Sequence, residues 1–144
     1  MASVPMTHRV FVYGSLKRGQ WNHPLLNDLH AVFKGEAVTQ QRFHMLNGSV
    51  AQSRRFPVLL EDHPASSARA VAGEIYHVND ECLAQMDRLE RVPDSYERKV
   101  VDVTEDGHAV QAFIYVGNAT RWSNSGWPLW TGTNDTGALD WNEE

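Results

Sequence analysis

His8-Arg-Val-Phe-Val-Tyr-Gly-Ser-Leu-Lys-Arg-Gly19 is the stretch on which the reading of this chain turns. From His8 to Tyr13 it is rich in β-branched and aromatic residues, and it halts at Gly14-Ser15, so it predicts a buried strand entering a tight turn. A glycine placed directly after such a strand lets successive backbone N–H groups converge on one point, a nest suited to a carboxylate. The motif alone leaves open the plainer reading, in which Gly14 merely permits the turn. The spacing is not that of a P-loop, and no Gly-x-Gly-x-x-Gly follows, which sets nucleotide enzymes aside. Asn22 precedes His23-Pro-Leu-Leu-Asn-Asp-Leu29, and an asparagine cap with proline in the first turn predicts a short helix there.

Working outward, Val32 to Thr39, Arg42 to Leu46 and Phe56 to Leu60 read as extended segments, broken by Asn47-Gly48 and by the polar stretch Gln52 to Arg55. Pro64 to Ser67 is turn-like. Ala70 to Val78 reads as a further strand whose glycine, Gly73, marks a bend or a close backbone approach. Asn79-Asp80 opens a helix over Asp80 to Glu90, which should stop near Val92-Pro93. Tyr96 to Thr104 and Ala109 to Val116 flank Glu105-Asp-Gly107, and Asp-Gly between two β-rich runs predicts a hairpin. Beyond Gly117 four of the five tryptophans fall among Ser, Asn, Gly and Thr without periodicity. Residues 118–144 therefore read as an irregular tail, some of whose rings pack on the sheet or border a pocket.

A chain of 144 residues, 42% of them hydrophobic, fits a single domain, residues 1–144, with a real core. The net charge of −5 opposes attraction to phosphate polymers or anionic lipid heads, so neither nucleic acid nor a membrane surface is expected as a partner. Cys82 is the only cysteine, which fits a reducing compartment, and the cytoplasm is the expected location. The apolar run Val10 to Tyr13 is too brief for a signal-peptide core, and no later run approaches the length of a membrane span.

At about 100° per residue, Glu90 shares the helix face of Leu83 and Met86, which puts a carboxylate where leucine would be expected. Withdrawn from water, such a group has a raised pKa and serves as a general base near neutral pH. The alternative is a frayed helix end with the side chain in water. Asp87 is a rival whose plainer role is an ion pair with Arg91, four residues on. Tyr96 and Tyr115 have phenols able to enter a cavity, or are core tyrosines with satisfied hydroxyls. The seven histidines contain no close ligand pair, so no metal site is expected. No nucleophile elbow surrounds any serine, and only its place near a helix start recommends Cys82. Arg54-Arg55 and Lys17-Arg18 read as solvated basic pairs, the latter placed to assist an anion.

Val10 to Gly19 with Asn22-His23, Gly73-Glu-Ile-Tyr76, Met86-Asp-Arg-Leu-Glu90 and Tyr96-Glu-Arg98, in that order, resemble the γ-glutamylcyclotransferase family, and most closely its γ-glutamylamine cyclotransferase branch. The resemblance covers roughly residues 8 to 117. It implies an α+β fold, a compact mixed β-barrel with a few short flanking helices. It also implies an enzyme, without metal or cofactor, that cleaves a small γ-glutamyl amide into 5-oxoproline and a free amine. By the same resemblance Tyr13, Gly14, Ser15 and Leu16 hold the γ-glutamyl moiety and Glu90 is the catalytic acid/base. Ser15 stands where that branch carries threonine, and the resemblance does not extend to the tryptophan-rich tail, which leaves the leaving amine open. Two other classes stay in view: a non-catalytic small-molecule binder with the same pocket, and an interaction module working through the tail. The oligomeric state is not legible.

Overall fold

The structure, a computed structural model, describes residues 8–20, 22–48, 56–61, 68–122 and 125–141. Gln52 to Arg55 and Pro64 to Ser67 lie outside the described residues. The described elements are β1 (His8–Val12), α1 (Pro24–Asp28), β2 (Val32–Thr39), β3 (His44–Asn47), β4 (Pro57–Leu60), β5 (Ala72–Val78), α2 (Asp80–Leu89), β6 (Tyr96–Glu105), β7 (His108–Gly117) and α3 (Ala119–Trp122). Strands β1, β5, β2, β6 and β7 close in that order into a barrel, and β3 and β4 form a separate two-stranded sheet. The β1–β7 seam is parallel, with Val10 opposite Phe113, and the other pairs are antiparallel. The fold is thus the mixed β-barrel with short helices that the resemblance implied.

Side chains alternate across a strand, so a strand buried on both faces reads as an unbroken apolar run. β1 is that case. Phe11 and Tyr13 join one core with Ile75, Val103, Ile114 and Trp141, whereas Val10 and Val12 join another with Leu26, Tyr76, Met86 and Tyr115. Complete burial of Phe11, Ile75 or Met86 stabilises by roughly 1.5–3 kcal/mol each. Gly73 is required by a close approach, because a Cβ there would lie 2.4 Å from the Val12 carbonyl oxygen. The β6–β7 hairpin turns on Asp106 (φ 50°) and Gly107 (φ 79°), the two left-handed residues that an Asp-Gly turn supplies.

α2 starts as its sequence predicts: the Asn79 side chain accepts from the Cys82 N–H at 2.8 Å, with Asp80 and Glu81 in the first turn. Its buried face is Cys82, Leu83 and Met86, and Glu90 caps its C-terminus. α1 departs from expectation by one residue. His23, not Asn22, occupies the N-cap and no side chain caps it; Asn22 contributes its backbone carbonyl, which accepts from Leu25 N–H at 3.2 Å. Pro24 supplies the helical φ and needs no capping partner, so a side-chain cap is dispensable.

Residues 125–141 pack against the body of the protein. Ala72 N–H donates to Leu139 O and Leu139 N–H to Ala70 O, each at 2.8 Å, and Trp130 N–H reaches Met45 O at 2.7 Å. Trp141 is fully buried, its ring 4.8 Å from that of Trp130. α3 was not foreseen; Asn118 starts it, its side chain accepting from Thr120 N–H at 3.0 Å. Among the described residues no helix is long and apolar enough to cross a membrane.

Candidate active site

The C-terminal end of β1, the N-termini of β4 and β6, the last turn of α2 and the helical turn α3 meet around a cavity of about 420 Å³. Tyr13, Gly14, Ser15, Leu16, Glu90, Tyr96 and Tyr115 all line it. The tetrapeptide after the first strand and the acid at the end of α2, some 75 residues apart in sequence, therefore share one hollow.

Glu90 is half-buried and lines the cavity. Desolvation pushes its pKa up to about 7. No hydrogen bond or ion pair to this carboxyl is present among the described residues, so nothing offsets that cost by favouring the anion. A carboxyl poised near neutrality can take a proton and return it, which an exposed glutamate does poorly at that pH.

Three phenols surround it. Burial raises the pKa of Tyr13 and Tyr96 well above the ordinary phenol value, and the charge of Glu90 adds to both. The Tyr115 phenol is likewise raised, first by burial, then by its bond to Asp87, with Glu90 contributing. All three stay neutral, and each hydroxyl donates to the protein: Tyr13 to the Tyr115 carbonyl, Tyr96 to the Pro57 carbonyl at 3.0 Å, Tyr115 to Asp87 at 2.7 Å. These bonds lock the cavity wall across four elements. They also leave Tyr115 without a hydroxyl proton to offer a ligand.

The turn is held from several sides. Lys17 N–H closes on Gly14 O and Asn22 N–H on Ser15 O, both at 3.0 Å, and His23 Nδ1–H donates to Leu16 O at 2.9 Å. The Asn22-His23 pair is thereby given a physical task, closing the loop on itself. The N–H groups of Ser15 and Leu16 donate to no acceptor among the described residues. Gly14 is needed because a Cβ there would sit 2.7 Å from two Pro57 ring carbons, a contact with β4 that the sequence did not reveal.

Two expectations fail. Lys17 is not solvated, its Nζ binding Asp140 at 2.7 Å; Arg18 stays exposed as expected, although its Nε binds Glu74 at 3.1 Å, and both partners are distant in sequence. Asp87 does not pair with Arg91. Arg91 (φ 53°) has left the helix, so the i,i+4 geometry does not exist, and Asp87 instead accepts from Arg98 Nη1 at 2.6 Å and from Tyr115. Arg54-Arg55 lie outside the described residues.

The cavity also takes residues that sequence reasoning did not single out, among them Pro57, Ser95, Arg91 and Arg121. Trp122 is the tail ring that borders it, its Nε1–H donating to Ser95 O at 2.6 Å. Cys82 is buried in the core below α2, where desolvation pushes its thiol up to about 11. Among the described residues no group of three or more His, Cys, Asp or Glu side chains is placed to hold a metal ion.

Residues 10–133 match the family described as γ-glutamyl cyclotransferase, AIG2-like. The chain belongs to this family of enzymes. It is 36% identical to the γ-glutamylaminecyclotransferase of Rattus norvegicus, over 76% of this chain and 77% of that one. It is 35% identical to a putative γ-glutamylcyclotransferase of Methanocaldococcus jannaschii, over 74% of this chain and 81% of the other. The crystal structure of an AIG2-like protein from Mus musculus superimposes with a TM-score of 0.71 at 31% identity, covering 95% of this chain and 96% of that one.

Proposed function

We propose that this protein cleaves a small γ-glutamyl amide into 5-oxoproline and a free amine, with Glu90 as the acid/base and the turn Tyr13 to Leu16 as the cradle of the γ-glutamyl group. One observation carries the reading: the only carboxyl among the described residues that line the large cavity, its pKa raised to about 7 by desolvation, shares that hollow with the turn. Family membership and the rat relative's name support the reaction class.

The chemistry asks little of the protein. The substrate's α-amino nitrogen attacks the side-chain amide carbon, the new C–N bond closes a five-membered ring, and the old C–N bond breaks. Holding the folded conformer supplies much of the rate. The α-amine is mostly an ammonium ion at neutral pH, so a base must first remove a proton; Glu90 takes it. The same carboxylic acid then delivers that proton to the departing nitrogen and, as the carboxylate again, takes the second proton that the ring nitrogen sheds on becoming an amide. The uncommitted N–H groups of Ser15 and Leu16 are suited to the substrate carboxylate or the developing oxyanion. Tyr13, Tyr96 and Tyr115 keep the cavity shaped and dry around the acid. We take residues 1–144 as one domain in which the tail 118–144 completes the cavity through Trp122, a reading supported by the burial of Leu139 and Trp141 in the core.

The test is to offer ε-(γ-glutamyl)-lysine, γ-glutamyl-alanine and glutathione in parallel and measure 5-oxoproline, with the parent and with Glu90→Gln. Release by the parent and its loss in the variant are expected. Binding without release from any substrate would favour a non-catalytic binder.

A further inference from the structure

None of the residues Gly73-Glu-Ile-Tyr76 lines the large cavity, yet β5 buries a carboxylate there, the Glu74 side chain being only 9% exposed. Gly73 is required by the approach to Val12, and Ile75 and Tyr76 belong to the cores. Glu74 is explained by what it holds. Its Oε1 accepts from the Arg18 N–H at 3.0 Å and from the Tyr76 hydroxyl at 3.1 Å, and its Oε2 accepts from Arg18 Nε at 3.1 Å.

The two bonds to Arg18 differ in what they can transmit. The guanidinium sits at the end of a long, exposed side chain, stacked on the Phe33 ring 3.9 Å from its centre, so its displacement moves little else. The Arg18 N–H, in contrast, belongs to the peptide unit that joins Arg18 to Lys17, whose own N–H closes the turn on Gly14 O. At the other end Glu74 is anchored by β5, which pairs on both edges, with Val12 opposite Glu74 on β1 and Glu36 opposite it on β2. Val12 is the last residue before Tyr13. The strand pairing thus fixes where the cradle turn begins, and the Glu74 side chain fixes where it ends. Between these points the N–H groups of Lys17 and Arg18 are taken by Gly14 O and Glu74, which leaves those of Ser15 and Leu16 for a ligand.

We propose that Glu74 is a positioning residue for the cradle: by gripping the Arg18 N–H from outside the large cavity, it sets the direction in which the Ser15 and Leu16 N–H groups meet the substrate. This rests on the cyclotransferase reading above and adds to it the residue that shapes the binding turn.

The length and the charge of the side chain separate this role from plain ion pairing. Glu74→Gln keeps the length and an oxygen for the Arg18 N–H but loses the charge. Glu74→Asp keeps the charge but ends about 1.5 Å short, and β5 is not free to follow. With the best of the three substrates named above, Glu74→Asp should raise KM by about 10-fold, the scale of one hydrogen bond to a charged group, with kcat within about threefold of the parent. Glu74→Gln should keep KM within about threefold of the parent, although its ion pair is gone. Amide hydrogen exchange should find the Arg18 N–H protected in the parent and in Glu74→Gln, and unprotected in Glu74→Asp. An ion pair alone predicts the reverse order, because the flexible guanidinium can follow a shorter carboxylate but has no partner in an amide. That reverse order would overturn the proposal, as would a parental KM in Glu74→Asp or a Glu74→Gln that does not fold. If Glu74→Asp does not fold, Arg18→Ala decides, since it deletes the exposed guanidinium and leaves the backbone bond: KM should stay within about twofold of the parent, and a rise as large as that expected of Glu74→Asp overturns the proposal. A parent that releases 5-oxoproline from none of the three substrates would overturn the cyclotransferase reading itself, while the exchange pattern would still report on the Glu74 bond.

Discussion

Two cavities among the described residues treat charge in opposite ways. In the smaller, about 220 Å³, Lys17 meets Asp140 at 2.7 Å, and the buried carboxylate of Glu74 accepts from the Arg18 side chain, the Arg18 N–H and the Tyr76 hydroxyl at 3.0–3.1 Å. In the larger, about 420 Å³, Glu90 has no such partner among the described residues, nor have Arg91 and Arg121. Burying a charge is costly unless it is paired, so a paired carboxylate is explained by the fold alone. An unpaired one is not, and it calls for a reason outside the fold. The smaller cavity is thus a knot tying the first turn to the tail, and the larger is the place to look for chemistry.

The sharpest way to break this contrast is Glu90→Gln. Turnover should fall on the order of 10²-fold or more, with substrate binding largely kept. Stability should move the other way. The folded-state pKa, about 7, lies above the ordinary 4.5, so the folded protein holds a proton that the unfolded chain releases as pH rises through that window. Glu90 therefore erodes stability progressively from pH 4.5 to 7, by up to about 3 kcal/mol above it. Denaturant melts should find Glu90→Gln the more stable protein at pH 8 and equal to the parent at pH 4. A loss of both turnover and stability at pH 8 would make Glu90 structural.

The parent's pH–rate profile is the companion measurement. A base must be ionised before it can act, so kcat/KM should climb through the Glu90 pKa near 7 and level off above it. That rising limb should be missing in Glu90→Gln. A limb retained in the variant would belong to another group, and the unpaired carboxyl would lose its role.

Much of this site was legible from sequence because its two halves are local motifs. A strand that ends in Gly14-Ser15 and a helix whose apolar face continues into Glu90 each declare themselves within a dozen residues. What was not legible depends on contacts distant in sequence. Pro57 approaches Gly14 from β4, and Asp140 and Glu74 reach Lys17 and Arg18 from the tail and from β5. A basic pair followed by glycine looks unpartnered until the acids that neutralise it are placed by the barrel. The tryptophans had no periodicity to read because residues 125–141 pack as irregular chain, through isolated bridges such as Val71 with Leu139 and Leu46 with Leu129.

Gly14→Ala sharpens the boundary between the turn and the cavity. The added methyl must push two ring carbons of Pro57 that start 2.7 Å away, and a proline ring has little freedom to yield. Overpacking of this kind costs about 1–3 kcal/mol. We expect a lowered melting temperature together with a raised KM, since the strain falls on the turn proposed to cradle the γ-glutamyl group. Normal stability and KM would mean that β4 gives way and that the turn does not owe its shape to that contact.

The smallest effect is expected in the smaller cavity. Asp140→Asn keeps an acceptor for Lys17 but removes the countercharge of an ammonium whose side chain is only 11% exposed. Losing that charge should cost about 1–2 kcal/mol, a few degrees in melting temperature for a domain of this size. Asp140 does not line the larger cavity, so kcat/KM should stay within about twofold of the parent, well below the cost of losing one charge-assisted bond at the site itself. The two substitutions then separate on two axes: Glu90→Gln trades rate for stability, and Asp140→Asn loses stability alone. If Asp140→Asn instead lowered turnover as Glu90→Gln does, pairing would no longer distinguish structural carboxylates from working ones, and the knot between turn and tail would have to be counted as part of the catalytic apparatus.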